Sequence, residues 1–198
     1  MLCRNLLRKQ ASTWDDVVSE VKARHSKVHM LDPEWKNAFH YVDDYNEDGF
    51  KIKAGDLGYA FKEKEPGILA HELGHKIVYE DSPEIYKQLL LSSRRATQQY
   101  NPLTNLNFLL PALGLGASLI TDNPYWLLGG SGLGALVTIP KLLDEYRASA
   151  KGAEILKKLN AKEKDIDKAY GGIGSHVLGD LAIPTLGLLG SGAMALFK

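Results

Sequence analysis

The chain has almost no cysteine and carries no net charge. Its 198 residues include one cysteine, Cys3, so no disulfide can form within the chain, which agrees with a reducing compartment. Lysine plus arginine and aspartate plus glutamate number 24 each, which leaves no electrostatic argument for nucleic-acid binding. The first residues contain no continuous apolar core, and we therefore expect no signal peptide. The length predicts a single domain over residues 1–198.

Charge is missing from long stretches of the second half. No charged residue lies between Arg95 and Asp122, and none between Asp122 and Lys141. Each run offers about 17–20 mostly apolar residues, close to the minimum for crossing a bilayer. Together with the short linker they predict a transmembrane hairpin over residues 103–140. A third apolar run, 181–197, is just long enough to be another span.

The composition of these runs favours a membrane over a soluble core. Tyr125 and Trp126 stand where interfacial aromatic residues belong, and Gly130-x-x-x-Gly134 permits close helix packing. The alternative is that the runs are buried helices of a soluble protein. Three such runs would be hard to cover with the polar remainder, so we favour the membrane.

Residues 71–75 read His-Glu-Leu-Gly-His, an H-E-x-x-H motif inside a helix-like run. Histidines four apart lie on the same face of a helix, so His71 and His75 can reach one metal ion. Zinc accepts neutral imidazole, and its catalytic sites use three protein ligands and a water. Glu72 would lie beside that water as a general base. The motif predicts metal-assisted hydrolysis of an amide bond.

The regions around the motif have simpler patterns. Residues 1–65 predict an N-terminal helix, placed at 14–30 by its apolar spacing, followed by a β-hairpin that turns at Asp48-Gly49 and continues as a strand at Phe50–Lys53. By position, that strand could receive an extended substrate. Pro66 suits a first helical position, and residues 66–100 predict the motif helix and a following helix.

A zinc site needs a third ligand, and Glu145 is our candidate. A hairpin that crosses the membrane twice returns the chain to the side it left, so Glu145 would lie on the side of the two histidines. It stands in a predicted ligand helix over residues 141–170, where the small Ala148 and Ser149 allow close approach. Asp144 is the main competitor, although it points about 100° away on that helix.

The order of these motifs resembles that of the integral-membrane gluzincin metallopeptidases. The matching residues are Ile68 to His75, two apolar segments, and the sequence from Glu145 to Ala153, which begins E-x-x-A-S. The chain is most similar to the neutral zinc metallopeptidases typified by YugP, and more distantly to HtpX and the CAAX prenyl proteases. The resemblance spans about residues 60 to 180. It implies that His71, His75 and Glu145 bind zinc and that Glu72 is the catalytic base.

The expected protein is therefore a zinc-dependent membrane endopeptidase. Its fold class is mainly α with a small β-hairpin and a zincin-like catalytic region carrying two or three transmembrane helices. Candidate partners of the oxyanion are His176, foremost, then Tyr170 and Arg147. Basic residues flank the hairpin and are missing from its turn, which predicts a multi-pass protein with its catalytic side in the cytoplasm.

The expected partners are a peptide or protein substrate, cleaved near the membrane surface, and the lipid bilayer. Two alternatives stay open. One is a membrane protein without enzymatic activity, and the other is a soluble zinc-binding protein whose apolar helices form an interface.

Overall fold

The computed structural model describes residues 13–41, 52–97 and 105–196, which are mainly helical. In chain order, the elements of these ranges are α1 (Thr13–Ala23), β1 (Val28–Met30), a 3-10 turn (Pro33–Trp35), β2 (Ala38–His40), β3 (Leu57–Tyr59), α2 (Pro66–Asp81), α3 (Glu84–Thr97), α4 (Leu106–Thr121), α5 (Tyr125–Lys158) and α6 (Glu163–Leu196).

These elements form two compact units. Of the described residues, the sheet unit comprises 13–41, 52–81 and 146–172, and the apolar unit comprises 82–97, 105–145 and 173–196. Helices α5 and α6 each contribute one part to each unit. The predicted ligand helix over residues 141–170 is therefore wrong as a separate element, because its first part continues α5 and its last part begins α6.

Helix α1 is shorter than the predicted helix over 14–30. Its apolar spacing is confirmed, since Trp14, Val17 and Val21 are its buried residues. The helix ends at Ala23, and His25 takes a left-handed conformation with φ 56°, which stops further helical turns. The segment Val28–Met30, predicted as helix, instead forms a strand paired with β3.

The sheet has three strands in the order β1-β3-β2 rather than the two of a hairpin. Strand β1 is parallel to β3 and β2 is antiparallel to it, with Phe39 opposite Gly58. The predicted strand at Phe50–Lys53 is wrong where the structure describes it, since Ile52 and Lys53 lie outside any strand. The remainder of that strand and the turn at 48–49 lie outside the described residues.

The reason for this error is the central position of β3. All three residues of Leu57–Tyr59 are buried, as in a strand covered on both faces. Such a strand has no apolar–polar alternation, so the alternating segment before it gave a misleading signal.

In the apolar unit, α4 and α5 form a closely packed helical hairpin. Asp122 ends α4 with φ 52°, and its N–H bonds to the carbonyl oxygen of Ser118. A Cβ on Gly130 would collide with the carbonyl of Leu110, and a Cβ on Gly134 would lie 3.2 Å from Pro111. The predicted close packing at these two glycines is therefore confirmed.

Among the described residues, two helices contain a stretch long and apolar enough to cross a membrane: α5, and α6 in residues Gly179–Leu196. Only 28% and 11% of their apolar stretches are buried within the molecule, unlike the core helices of soluble proteins. The third apolar helix, α4, has 16 residues.

Candidate metal centre

Helix α2 occupies the middle of the sheet unit. Eleven of its 16 residues are buried, from Gly67 to Val78 with one exception, so almost its whole circumference is covered. Leu69, Leu73 and Ile77 join a core that includes Val17 of α1 and residues of the sheet. This burial holds the H-E-x-x-H motif on a rigid element, which a ligand geometry requires.

Three polar contacts hold the segment that leads into α2. The buried Tyr59 hydroxyl donates to the Glu63 carbonyl oxygen (2.8 Å) and accepts the backbone N–H of Glu65 (2.7 Å). Burial is the main reason that the pKa of Tyr59 rises to about 12. The Lys168 ammonium of α6 lies 2.9 Å from the Glu65 carboxylate, which raises the pKa of Lys168.

His71 and His75 point their Nε2 atoms at each other. The two nitrogens are 3.1 Å apart and both residues are buried. Two zinc–nitrogen bonds of about 2.0–2.1 Å at a tetrahedral angle would separate them by about 3.3 Å. The spacing of the two imidazoles therefore fits joint coordination of one metal ion.

Glu145 is the third member of this group. The ligand atoms of His71, His75 and Glu145 all lie within 4.8 Å of one another. The neighbouring carboxylate, Asp144, instead lies 2.8 Å from the Arg94 guanidinium of α3. The group of two histidines and one glutamate could hold a metal ion, and its nitrogen and carboxylate donors suit zinc.

Two further atoms contact the other ring nitrogen of His71. Its Nδ1 lies 3.0 Å from Ser149 Oγ, one turn after Glu145 on α5, and 3.2 Å from the carbonyl oxygen of Ala169 on α6. If Nδ1 carries the proton, it donates to these oxygens and leaves Nε2 free to bind a metal. Such contacts fix the tautomer and orientation of a ligating histidine.

Backbone contact between α2 and α5 determines how closely the groups approach. A Cβ on Gly74 would lie 2.7 Å from the carbonyl carbon of Ala148, and one on Gly152 would lie 2.7 Å from the carbonyl oxygen of Ala70. The two helices can touch only because both positions are glycine. The close approach expected from the small residues after Glu145 is present.

The other predicted site residues lie outside the group of His71, His75 and Glu145. Glu72 is buried on α2 between the histidines. Tyr170 is 38% exposed and Arg147 is also exposed. His176 belongs to α6, but its side chain lies outside the part that the structure describes.

The sequence reasoning did not identify Ser149 and Ala169 as partners of His71. Ser149 could have been found from its spacing of four residues from Glu145, which places both on one face of α5. The Ala169 contact uses a backbone oxygen, for which the sequence has no signal.

Comparison with known proteins adds no family to this description: no protein-family model, no curated protein and no solved structure matches the chain.

Proposed function

We propose that the protein is a zinc-dependent membrane endopeptidase of the gluzincin type. The observation that carries this proposal is the meeting of His71 and His75 with Glu145, which lies 70 residues later in the chain than His75, around an H-E-x-x-H helix that also provides Glu72. Two histidines and one glutamate form a known ligand set of zinc peptidases.

The division of labour follows from the chemistry of the side chains. Zinc, when bound, would lower the pKa of a water molecule and polarise the scissile carbonyl. Glu72 accepts the proton of that water and returns it to the leaving amine, a role worth about 10²–10⁴ in rate. Ser149 and the Ala169 carbonyl keep the His71 ring in its ligating orientation. His176 remains our candidate for stabilising the oxyanion.

The membrane part of the proposal rests on the apolar unit. Large apolar side chains are exposed along α4, α5 and α6, for example Leu119, Leu136 and Leu189. Each of these helices also contains one proline, and proline is more frequent in transmembrane helices than in soluble ones. At 1.5 Å per residue α4 is about 24 Å long, so a bilayer of about 30 Å would have to thin beside it.

The basic residues suggest the orientation. Lys141, Arg147 and Lys151 follow the apolar stretch of α5, whereas the turn between α4 and α5 has no basic residue. We propose that the metal-binding side faces the cytoplasm. Peptide bonds near that membrane surface would then be the substrate.

The test is the metal content and casein cleavage of the protein purified in detergent. We expect about one zinc per chain in the wild type. Glu72→Gln should retain the metal without activity, and Glu145→Ala should lose most of it. Glu154→Ala is the matched control, because Glu154 is an exposed glutamate of the same helix, paired with Lys151 and Lys158.

Two outcomes would contradict the proposal. A wild-type protein that takes up no zinc after reconstitution is not a zinc peptidase, and full metal binding by Glu145→Ala would remove Glu145 from the ligand set. Carbonate extraction of membranes tests the location independently. Release of the protein into the soluble fraction would refute the membrane assignment.

A further inference from the structure

Helix α3 presents three different faces, and one of them is apolar and exposed. Leu90 and Ser93 are buried on the face that packs inward. Glu84 and Gln88 are exposed polar residues on a second face. Ile85 and Leu89, one turn apart, form a third face and are 73% and 53% exposed. At 100° per residue the Ile85–Leu89 face is centred about 100° from the polar face and about 90° from the buried face, and the polar and buried faces are about 170° apart.

Two contacts place α3 at the end of the apolar stretch of α5. The Ser93 hydroxyl donates to the carbonyl oxygen of Val137, and the Arg94 guanidinium lies 2.8 Å from Asp144. Lys141, the first charge on α5, falls between these two contact points. Along the helix axis Val137 is about 6 Å before Lys141, and Asp144 is about 4.5 Å after it. The C-terminal part of α3, which contains Ser93 and Arg94, therefore lies level with the boundary between apolar and charged sequence.

We propose that α3 is an interfacial helix whose Ile85–Leu89 face inserts into the same bilayer that surrounds α5. This inference rests on the proposed membrane location. A helix at the boundary of an apolar span meets protein on one side, acyl chains on the second and water on the third. The three faces of α3 match those three surroundings. Interfacial helices bury their apolar face about 5–10 Å into the boundary between headgroups and acyl chains.

The lipid bilayer is the occupant that the contacts support. Helix α3 also packs against α4, so it adjoins both helices of the hairpin whose exposed surface is apolar. Leu133 on α5 is 54% exposed, and we expect the lipid that covers it to cover Ile85 and Leu89 as well.

The experiment uses the full chain in phospholipid vesicles. In a Cys3→Ser background, single cysteines at Ile85, Leu89 and Leu133 carry an environment-sensitive fluorophore, with Glu84→Cys and Gln88→Cys as matched controls on the polar face. Nitroxide groups are placed on the lipid chains near the headgroup. We expect a blue-shifted emission at Ile85 and Leu89 and quenching of their fluorescence by the nitroxide, as for shallow burial. The two controls should stay solvent-like.

The possible failures are distinguishable. Solvent-like probes at Ile85 and Leu89 together with a quenched probe at Leu133 would overturn the role of α3 and leave the membrane location intact. A blue shift without quenching would show that protein, for example a second copy, covers the face, and would also overturn it. A solvent-like probe at Leu133 would remove the membrane location and this inference with it.

Discussion

Gly74→Ala is predicted to disrupt the metal centre without changing any ligand. Its new methyl carbon would lie 2.7 Å from the Ala148 carbonyl carbon and 3.0 Å from the Ala148 Cα. Carbon atoms prefer separations of about 3.5–4.0 Å, so α2 and α5 must separate by about 1 Å. Metal–ligand distances tolerate only about 0.2 Å. The histidines on α2 and Glu145 on α5 could then no longer bind one ion together.

We expect Gly74→Ala to weaken metal binding by at least about tenfold and to destabilise the fold by about 1–3 kcal/mol, the usual cost of overpacking. Competition with a chelator measures the first effect and denaturant unfolding the second. Gly171→Ala is the matched control, because nothing lies within 4 Å of its Cβ position. The control should keep full affinity. Wild-type affinity and activity in Gly74→Ala would refute the argument that backbone contact sets the geometry.

Three further changes test other parts of the structure. Ser149→Ala removes the hydroxyl beside His71, so metal affinity measured by chelator competition should fall about 10–100-fold. Unchanged affinity would show that Ser149 does not orient His71. Asp180→Asn leaves the buried Lys141 ammonium without the carboxylate 2.7 Å away, so unfolding in detergent should show a loss of about 3–5 kcal/mol. The double change Lys141→Met with Asp180→Leu should recover most of the lost stability. A loss as large as that of Asp180→Asn would contradict this account. Burial raises the pKa of Tyr59 from 10.0 to about 12, so its contribution to stability is complete below about pH 10 and is lost as the pH rises towards 12. Measured across that range, the free energy of unfolding should fall more steeply in wild type than in Tyr59→Phe, and identical slopes would show that Tyr59 does not titrate as described.

Features encoded by neighbouring residues could be predicted from the sequence. The motif helix begins at Pro66, as its position suggested, and the apolar spacing of α1 matches its buried residues. The group of His71, His75 and Glu145 also followed from local rules, namely a spacing of four residues and the return of a hairpin. Its role in catalysis is still a prediction.

Features that depend on distant parts of the chain could not be predicted in this way. Strand β1 exists because Val28 pairs with Leu57, 29 residues later, and residues 28–30 contain no pattern that predicts this pairing. The continuity of α5 through Lys141 was hidden by the change from apolar to charged residues, which marks a change of surroundings and not a helix end. The ion pair of Asp144 with Arg94, which lies on another helix, likewise has no signal in the neighbouring sequence.

The hydrogen-bond partner that Ala169 offers to His71 cannot be removed by any substitution, because it is a backbone oxygen. The position of this oxygen can instead be altered by changing the length of the connection, residues 159–162, that joins α5 to α6. A single residue inserted into α6 before Ala169 would rotate the following helix by about 100° and carry the oxygen away from the ring. This hydrogen bond therefore depends on chain length and not on the Ala169 side chain, whose size is limited separately by its burial in the core.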